Sequence, residues 1–166
     1  MIYTFPNFLS WVIVGGLMTT IFAGEGVINS LIRASGGQTY GFLTDKSLIR
    51  PLLYATSIWK GTGWSAILYL AGIAGISPEL YEAAEVDGAT DLQCFWKIKW
   101  PAIMPTTLYI LVITTINSFQ CFALIQLLTS GGPNHSTDTI MYYIYYTAFK
   151  LYRYGYGNAM GVVLAV

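Results

Sequence analysis

The stretch EAAEVDGATDLQCFWKIKWP, Glu82 to Pro101, decides how the chain is read, because it is polar and lies between long, largely apolar runs. Glu82, Glu85 and Asp87 stand in it close together. A charged interval bounded by segments of membrane-spanning length is the profile of an aqueous loop, here residues 77–104. Its internal order is physically legible. Pro78 suits a first helical position, and Glu79, Leu80, Glu82, Ala83, Ala84 and Glu85 are helix formers, with acids early where helix amides are unpaired. The expectation is one short helix over Pro78 to Asp87. Gly88 stops it, since glycine reaches the left-handed conformation of a helix end. Thr90 then caps a second short helix to about Lys99, limited by Pro101 and Pro105. Two short helices around a glycine, one with paired alanines, form a knob that a partner's backbone can approach closely.

This pattern resembles the EAA motif of the membrane-spanning permease subunits of bacterial binding-protein-dependent ABC importers, in their carbohydrate and glycerol-3-phosphate branch. The motif reads E-A-A, three residues, G, nine residues, I, one residue, L-P, and Glu82, Ala83, Ala84, Gly88, Ile98 and Pro101 fall in register. Trp100 departs from it, standing where Leu is usual. The resemblance implies an all-α, polytopic MetI-like transmembrane domain of a type I ABC importer, present here in part. It also implies that the loop docks in a cleft on a cytoplasmic ATPase subunit. Glu82 would be the charged contact, Ala83 and Ala84 the close-packed face, and Gly88 the turn, with Asp87 on the same coupling surface. A second permease subunit, an extracellular solute-binding protein, a carbohydrate solute and the lipid bilayer of the cell membrane complete the implied partners.

Composition agrees with a membrane protein. The chain is 55% apolar and only 10% charged, with a mean hydropathy of +0.56, against roughly 25% charged residues in soluble domains. Lys and Arg together number 8, as do Asp and Glu, which gives no case for a nucleic-acid partner. Cys94 and Cys121 fall in different environments, so a bridge is not expected, and no metal-ligand spacing is present. Without a Gly-rich loop ending in Gly-Lys-Ser/Thr, ATP hydrolysis is expected in a partner subunit, with no catalytic residue and no cofactor in this chain. No carboxylate pair or Ser-His set suggests a membrane enzyme. The rival reading is a non-transporting membrane interaction or structural protein, or a truncated permease remnant.

Along the chain, Phe8 to Ala23 carries no charge and is at the short end of the about 17 to 25 residues a span needs. No basic region precedes it as in a signal peptide. Gly15 and Gly16 are either a close-approach site for a neighbouring helix or loose spots in this one. Gly24 to Arg50 reads as a polar loop with short interfacial helices at Val27 to Arg33 and Thr44 to Arg50. Gly26, Val27, Ile28 and Asn29 there resemble a G-x-I-N piece of the same family, and Phe42 and Leu43 stand where a Trp-Leu pair is common.

Pro51 to Ile76 is the second span, with Lys60 its single charge, expected either in a structural role or near the translocation path. Thr106 to Leu128 is the third and carries no charge. Thr114, Asn117, Ser118 and Gln120 or Cys121 form a polar stripe on it, either helix-helix glue or part of a solute path, with Asn117 and Gln120 the candidate solute contacts. Thr129 to Pro133 (TSGGP) is a turn-rich loop that resembles the T-x-G-G-P of the carbohydrate branch, and His135 beside it reads as a solvated loop residue. Ile140 to Tyr156 holds seven of the chain's 13 tyrosines and reads as an interfacial aromatic segment. Another apolar run begins at 157–166.

A cytoplasmic central loop leaves Lys97 and Lys99 inside, with Arg33, Lys46, Arg50, Lys150 and Arg153 outside. That opposes the positive-inside rule, so the orientation adopted here is the one the resemblance implies.

Overall fold

The computed structural model describes residues 2–166, and among them every regular element is helical. A 3₁₀ turn at Ile2–Thr4 leads into α1 (Phe5–Phe8), and Ser10 turns the chain into α2 (Trp11–Phe22) by accepting from the Ile13 amide at 3.3 Å. Gly26 then caps α3 (Val27–Ala34), within a residue of the short helix expected there.

The second span and its preceding short helix are fused into α4 (Lys46–Ala74), which starts at Asp45 rather than at Pro51. The Asp45 carboxylate accepts from the Ser47 amide at 2.8 Å and so fixes the helix start one turn before the proline. Pro51 removes one backbone hydrogen bond, while the buried Ile49 and Leu53 on either side hold the turn in place. At 29 residues, α4 is about 43 Å long.

After α5 (Pro78–Val86) and α6 (Asp91–Cys94), the chain runs through a π turn at Phe95–Lys99 into α7 (Trp100–Phe119). The second loop helix and the third span are therefore one rod, Asp91–Phe119, and the prolines do not part them. Pro101 would press its ring on the Lys97 carbonyl of an uninterrupted α-helix. The wider π turn, closed by the Trp100 amide on the Phe95 carbonyl, lies where that conflict would arise. At its other end the rod stops earlier than the sequence suggests. Phe119 is its last residue, Phe122 leaves helical geometry at φ −121°, and α8 (Ala123–Leu128) is a separate short helix. Beyond the TSGGP loop, Thr139 caps α9 (Ile140–Tyr145), a second π turn comes next at Tyr146–Lys150, and α10 (Tyr154–Ala165) ends the chain.

The core forms where α4, α8 and α9 meet, around Ile49, Leu53, Leu124, Ile125 and Tyr142, with Trp11 and Phe122 packed against it. Farther along α4, Gly72 lets α7 approach, so that a Cβ there would lie 3.0 Å from the Thr106 hydroxyl. Gly15 of α2 faces Leu127 of α8, whereas Gly16 faces open space, which separates the two roles that the sequence left open. Lys60 is buried and donates to the carbonyls of Pro6 and Asn7 at 3.3 and 2.8 Å, with its ammonium 5.2 Å from the Trp11 ring centroid. The charge inside this span therefore closes the open end of α1. In contrast, α7 beyond Ile110 is exposed on all sides, including Leu111, Val112, Ile113 and Ile116.

Candidate functional site

The knob between α4 and α7 is built from local hydrogen bonds. Pro78 opens α5, and Asp87 ends it in right-handed geometry, after which Gly88 takes φ +69°. The Gly88 amide donates to the Glu85 carbonyl at 3.0 Å and the Ala89 amide to the Ala84 carbonyl at 2.9 Å, which together make a Schellman closure. Two residues on, Thr90 and Gln93 form a capping box: the Thr90 amide donates to Gln93 Oε1 at 2.8 Å and the Gln93 amide to Thr90 Oγ1 at 3.4 Å. Each end of the turn is thus closed by residues within a few positions of one another.

Glu82, Ala83, Asp87 and Gly88 are exposed together on the outer surface of the knob, while Ala84 is half-buried on its inner side with Tyr81. Sequence reasoning passed over three exposed apolar residues on the same knob: Leu80, Val86 and Leu92, at 52%, 88% and 68% exposure. The signal was present, because Leu80, Ala83 and Val86 recur every three residues and so share one face of α5. The knob therefore offers an apolar ridge flanked by carboxylates. Behind it, the Phe95, Trp96 and Trp100 rings pack on one another at 5.2 to 6.4 Å, and the Lys99 ammonium lies 5.7 Å from the Tyr81 ring centroid.

The candidate solute residues lie at the far end of the rod. Asn117 is exposed on α7. Gln120 comes directly after the last helical residue, with its amide still bonded to the Ile116 carbonyl at 3.1 Å. It borders an open groove of about 600 Å³ between α7 and α10, shared with Ile116, Phe119, Tyr156 and Met160. Cys121 leaves the stripe: its carbonyl accepts from the Thr139 hydroxyl, which ties the chain to the start of α9. His135 is exposed in the loop, as expected of a solvated residue, and also has partners there. Its Nδ1 is 2.8 Å from Asp138 Oδ2, and its ring meets Tyr146 edge-on at 5.6 Å. Among the described residues no group of three His, Cys, Asp or Glu side chains is placed to hold a metal ion.

A helical frame with a bare apolar rod and an exposed helix-turn-helix knob defines the membrane domain of a permease, here all-helical and of MetI-like fold. The chain belongs to the binding-protein-dependent transport system inner membrane component family, which matches it over residues 1–166. It is 35% identical over 162 residues to the polygalacturonan/rhamnogalacturonan transport system permease protein YteP of Bacillus subtilis (strain 168), covering 96% of this chain and 50% of that protein. It is 32% identical over 142 residues to the sn-glycerol-3-phosphate transport system permease protein UgpA of Agrobacterium fabrum (strain C58 / ATCC 33970), covering 85% and 48%. Among solved structures, it is similar to a chain of a bacterial alginate ABC transporter in complex with alginate pentasaccharide-bound periplasmic protein. That similarity has a TM-score of 0.84 at 36% identity, over 99% of this chain and 58% of the other. The chain spans about half the length of the curated relatives it matches.

Proposed function

We propose that this chain is the coupling half of a permease subunit that imports a carbohydrate or related small polar solute through the cell membrane, driven by ATP hydrolysis in partner subunits. The observation that carries the proposal is the knob: a doubly capped turn that exposes Glu82, Ala83, Asp87 and Gly88 at the base of a continuous rod. An ATPase subunit would take the apolar ridge in a cleft and pair a base with Glu82. Movement of the knob would then pass into α7. Delivery by an extracellular binding protein is supported by the alginate transporter, whose complex includes a solute-bound periplasmic protein. The carbohydrate class rests on relatives named for polysaccharide and glycerol-3-phosphate transport. Among the described residues, Trp11–Ala34 and Asp91–Phe119 are the stretches long and apolar enough to cross a membrane; α4 would supply a third pass and α10 begin another, and a second permease subunit or lipid would cover the bare face of α7.

The test is Glu82→Gln, Ala83→Trp and Gly88→Val in the complete subunit, assembled with its ATPase and second permease. The proposal expects loss of solute-stimulated ATP hydrolysis and of uptake, with weaker ATPase retention in a pull-down and normal membrane insertion. Wild-type stimulation and uptake in all three variants would remove the knob from the mechanism and favour a non-transporting membrane protein.

A further inference from the structure

We infer that Tyr81 and Lys99 form the tie through which motion of the knob reaches α7, acting as positioning residues. The inference rests on the docking role proposed above. Among the described residues, no side chain of α5 makes a hydrogen bond or ion pair to another element, and the Tyr81–Lys99 contact is the ring–cation contact that joins α5 to the rod. Without it, no side-chain hydrogen bond, ion pair or ring–cation contact among the described residues joins α5 to the rod, and the chain between them, Asp87–Thr90, passes through a glycine at positive φ. A load on the ridge would then swing α5 about Gly88 rather than move α7.

Two further features fit a tie. Tyr81 is half-buried while its neighbours Leu80, Glu82 and Ala83 are exposed, and Lys99 is half-buried while Lys97 is exposed. An inward-facing member of each element is thus in the contact, beside the half-buried Ala84 and Ile98. Lys99 is also the last residue of the π turn, next to the first residue of α7. A π turn inserts one residue into the helical repeat, which rotates the downstream helix by about 100° relative to an uninterrupted one. The turn therefore sets the direction in which α7 continues beyond Lys99. An aromatic face and an ammonium attract without a fixed hydrogen-bond direction, so the pair can transmit a push while its two elements tilt slightly.

The test uses the assembled importer in proteoliposomes, with uptake and ATP hydrolysis measured together. Lys99→Met keeps the length of the side chain without its charge, and Tyr81→Leu removes the ring. Each is expected to lower solute imported per ATP by about 2- to 30-fold, the range a ring–cation contact can supply, while the ATPase stays bound in a pull-down. Tyr81→Phe keeps the aromatic face and is expected to retain transport. The double variant Tyr81→Leu with Lys99→Met is expected to be no worse than the poorer single variant. Wild-type stoichiometry in both single variants would overturn the inference, as would equal loss in Tyr81→Phe and Tyr81→Leu or fully additive losses in the double variant. If Gly88→Val uncouples the importer and these variants do not, the tie alone is rejected. If neither set has an effect, the docking role falls with it.

Discussion

Asn29 and Tyr40 are joined by a reciprocal pair of hydrogen bonds: Asn29 Nδ2 donates to the Tyr40 carbonyl at 2.8 Å, and the Tyr40 amide donates to Asn29 Oδ1 at 2.9 Å. The same Nδ2 also donates to the Ala23 carbonyl at 3.1 Å, and the Asn29 side chain is fully enclosed. One amide thus holds the end of α2, the first turn of α3 and the loop beyond in a single knot. Replacing it with Leu leaves polar backbone groups unpaired, and each such group costs about 1–3 kcal/mol. Asn29→Asp should be no better, because a carboxylate has no hydrogen to offer the two carbonyls. Thermal unfolding of the detergent-solubilised subunit, with protease sensitivity of residues 35–44, reads both effects.

Gly61 and Gly63 lie on the same helix and should respond oppositely to alanine. A Cβ on Gly63 would fall deep inside the Tyr3 carbonyl, a backbone group, whereas Gly61 faces open space. Gly63→Ala should therefore push the N-terminal segment off α4 at a cost of about 1–3 kcal/mol. Gly61→Ala should stabilise the helix by about 0.5–1 kcal/mol. Hydrogen exchange at residues 5–10 distinguishes the displaced segment from a general loss of stability.

The start of α4 should weaken in acid. The Ser47 hydroxyl and then the Ser47 amide donate to Asp45 and hold its carboxyl below the usual aspartate range. A carboxyl with a lowered folded-state value contributes stability above its unfolded value and loses it as pH falls through the folded one. Exchange protection of the first turn of α4 should accordingly be intact near neutrality and fall below the ordinary carboxylate range. Asp45→Ser, which caps without a charge, should abolish that pH dependence.

Asn117→Leu and Gln120→Leu test the solute path. If either amide bonds solute hydroxyls, its loss should lower uptake about 5- to 160-fold, in line with a lost polar contact of about 1–3 kcal/mol, without loss of assembly. Uptake kinetics alongside a pull-down of the ATPase make the check. Unchanged kinetics in both variants would assign the two residues to helix packing instead.

What the sequence determined by itself is local or compositional. Apolar runs of spanning length, few charges and a motif at fixed spacing from Glu82 to Pro101 required only counting. The Gly88 turn and the Thr90 cap were also legible, because both are closed by groups within five positions of each other. Folding decided what depends on residues far apart in the chain. Lys60 reaches Asn7 across 53 positions, and Arg50 donates to the Ser136 carbonyl across 86. Of the basic residues that oppose the positive-inside rule, Arg50 has such a distant use, whereas Arg33 pairs with Glu25 and Arg153 lies over the Tyr156 ring, both close in sequence. Which of Gly15 and Gly16 meets a neighbour, and whether Tyr81 reaches Lys99, likewise depend on how helices cross. The rod's limits were hidden for a related reason. Pro101 looks like a helix end in isolation, yet a wider turn before it lets the helix continue, while the uncharged run after Phe119 looks continuous and breaks where the chain turns to bring Leu124 and Ile125 into the core. Side-chain pattern records which surfaces must be hidden from water; only packing determines which partner hides each one.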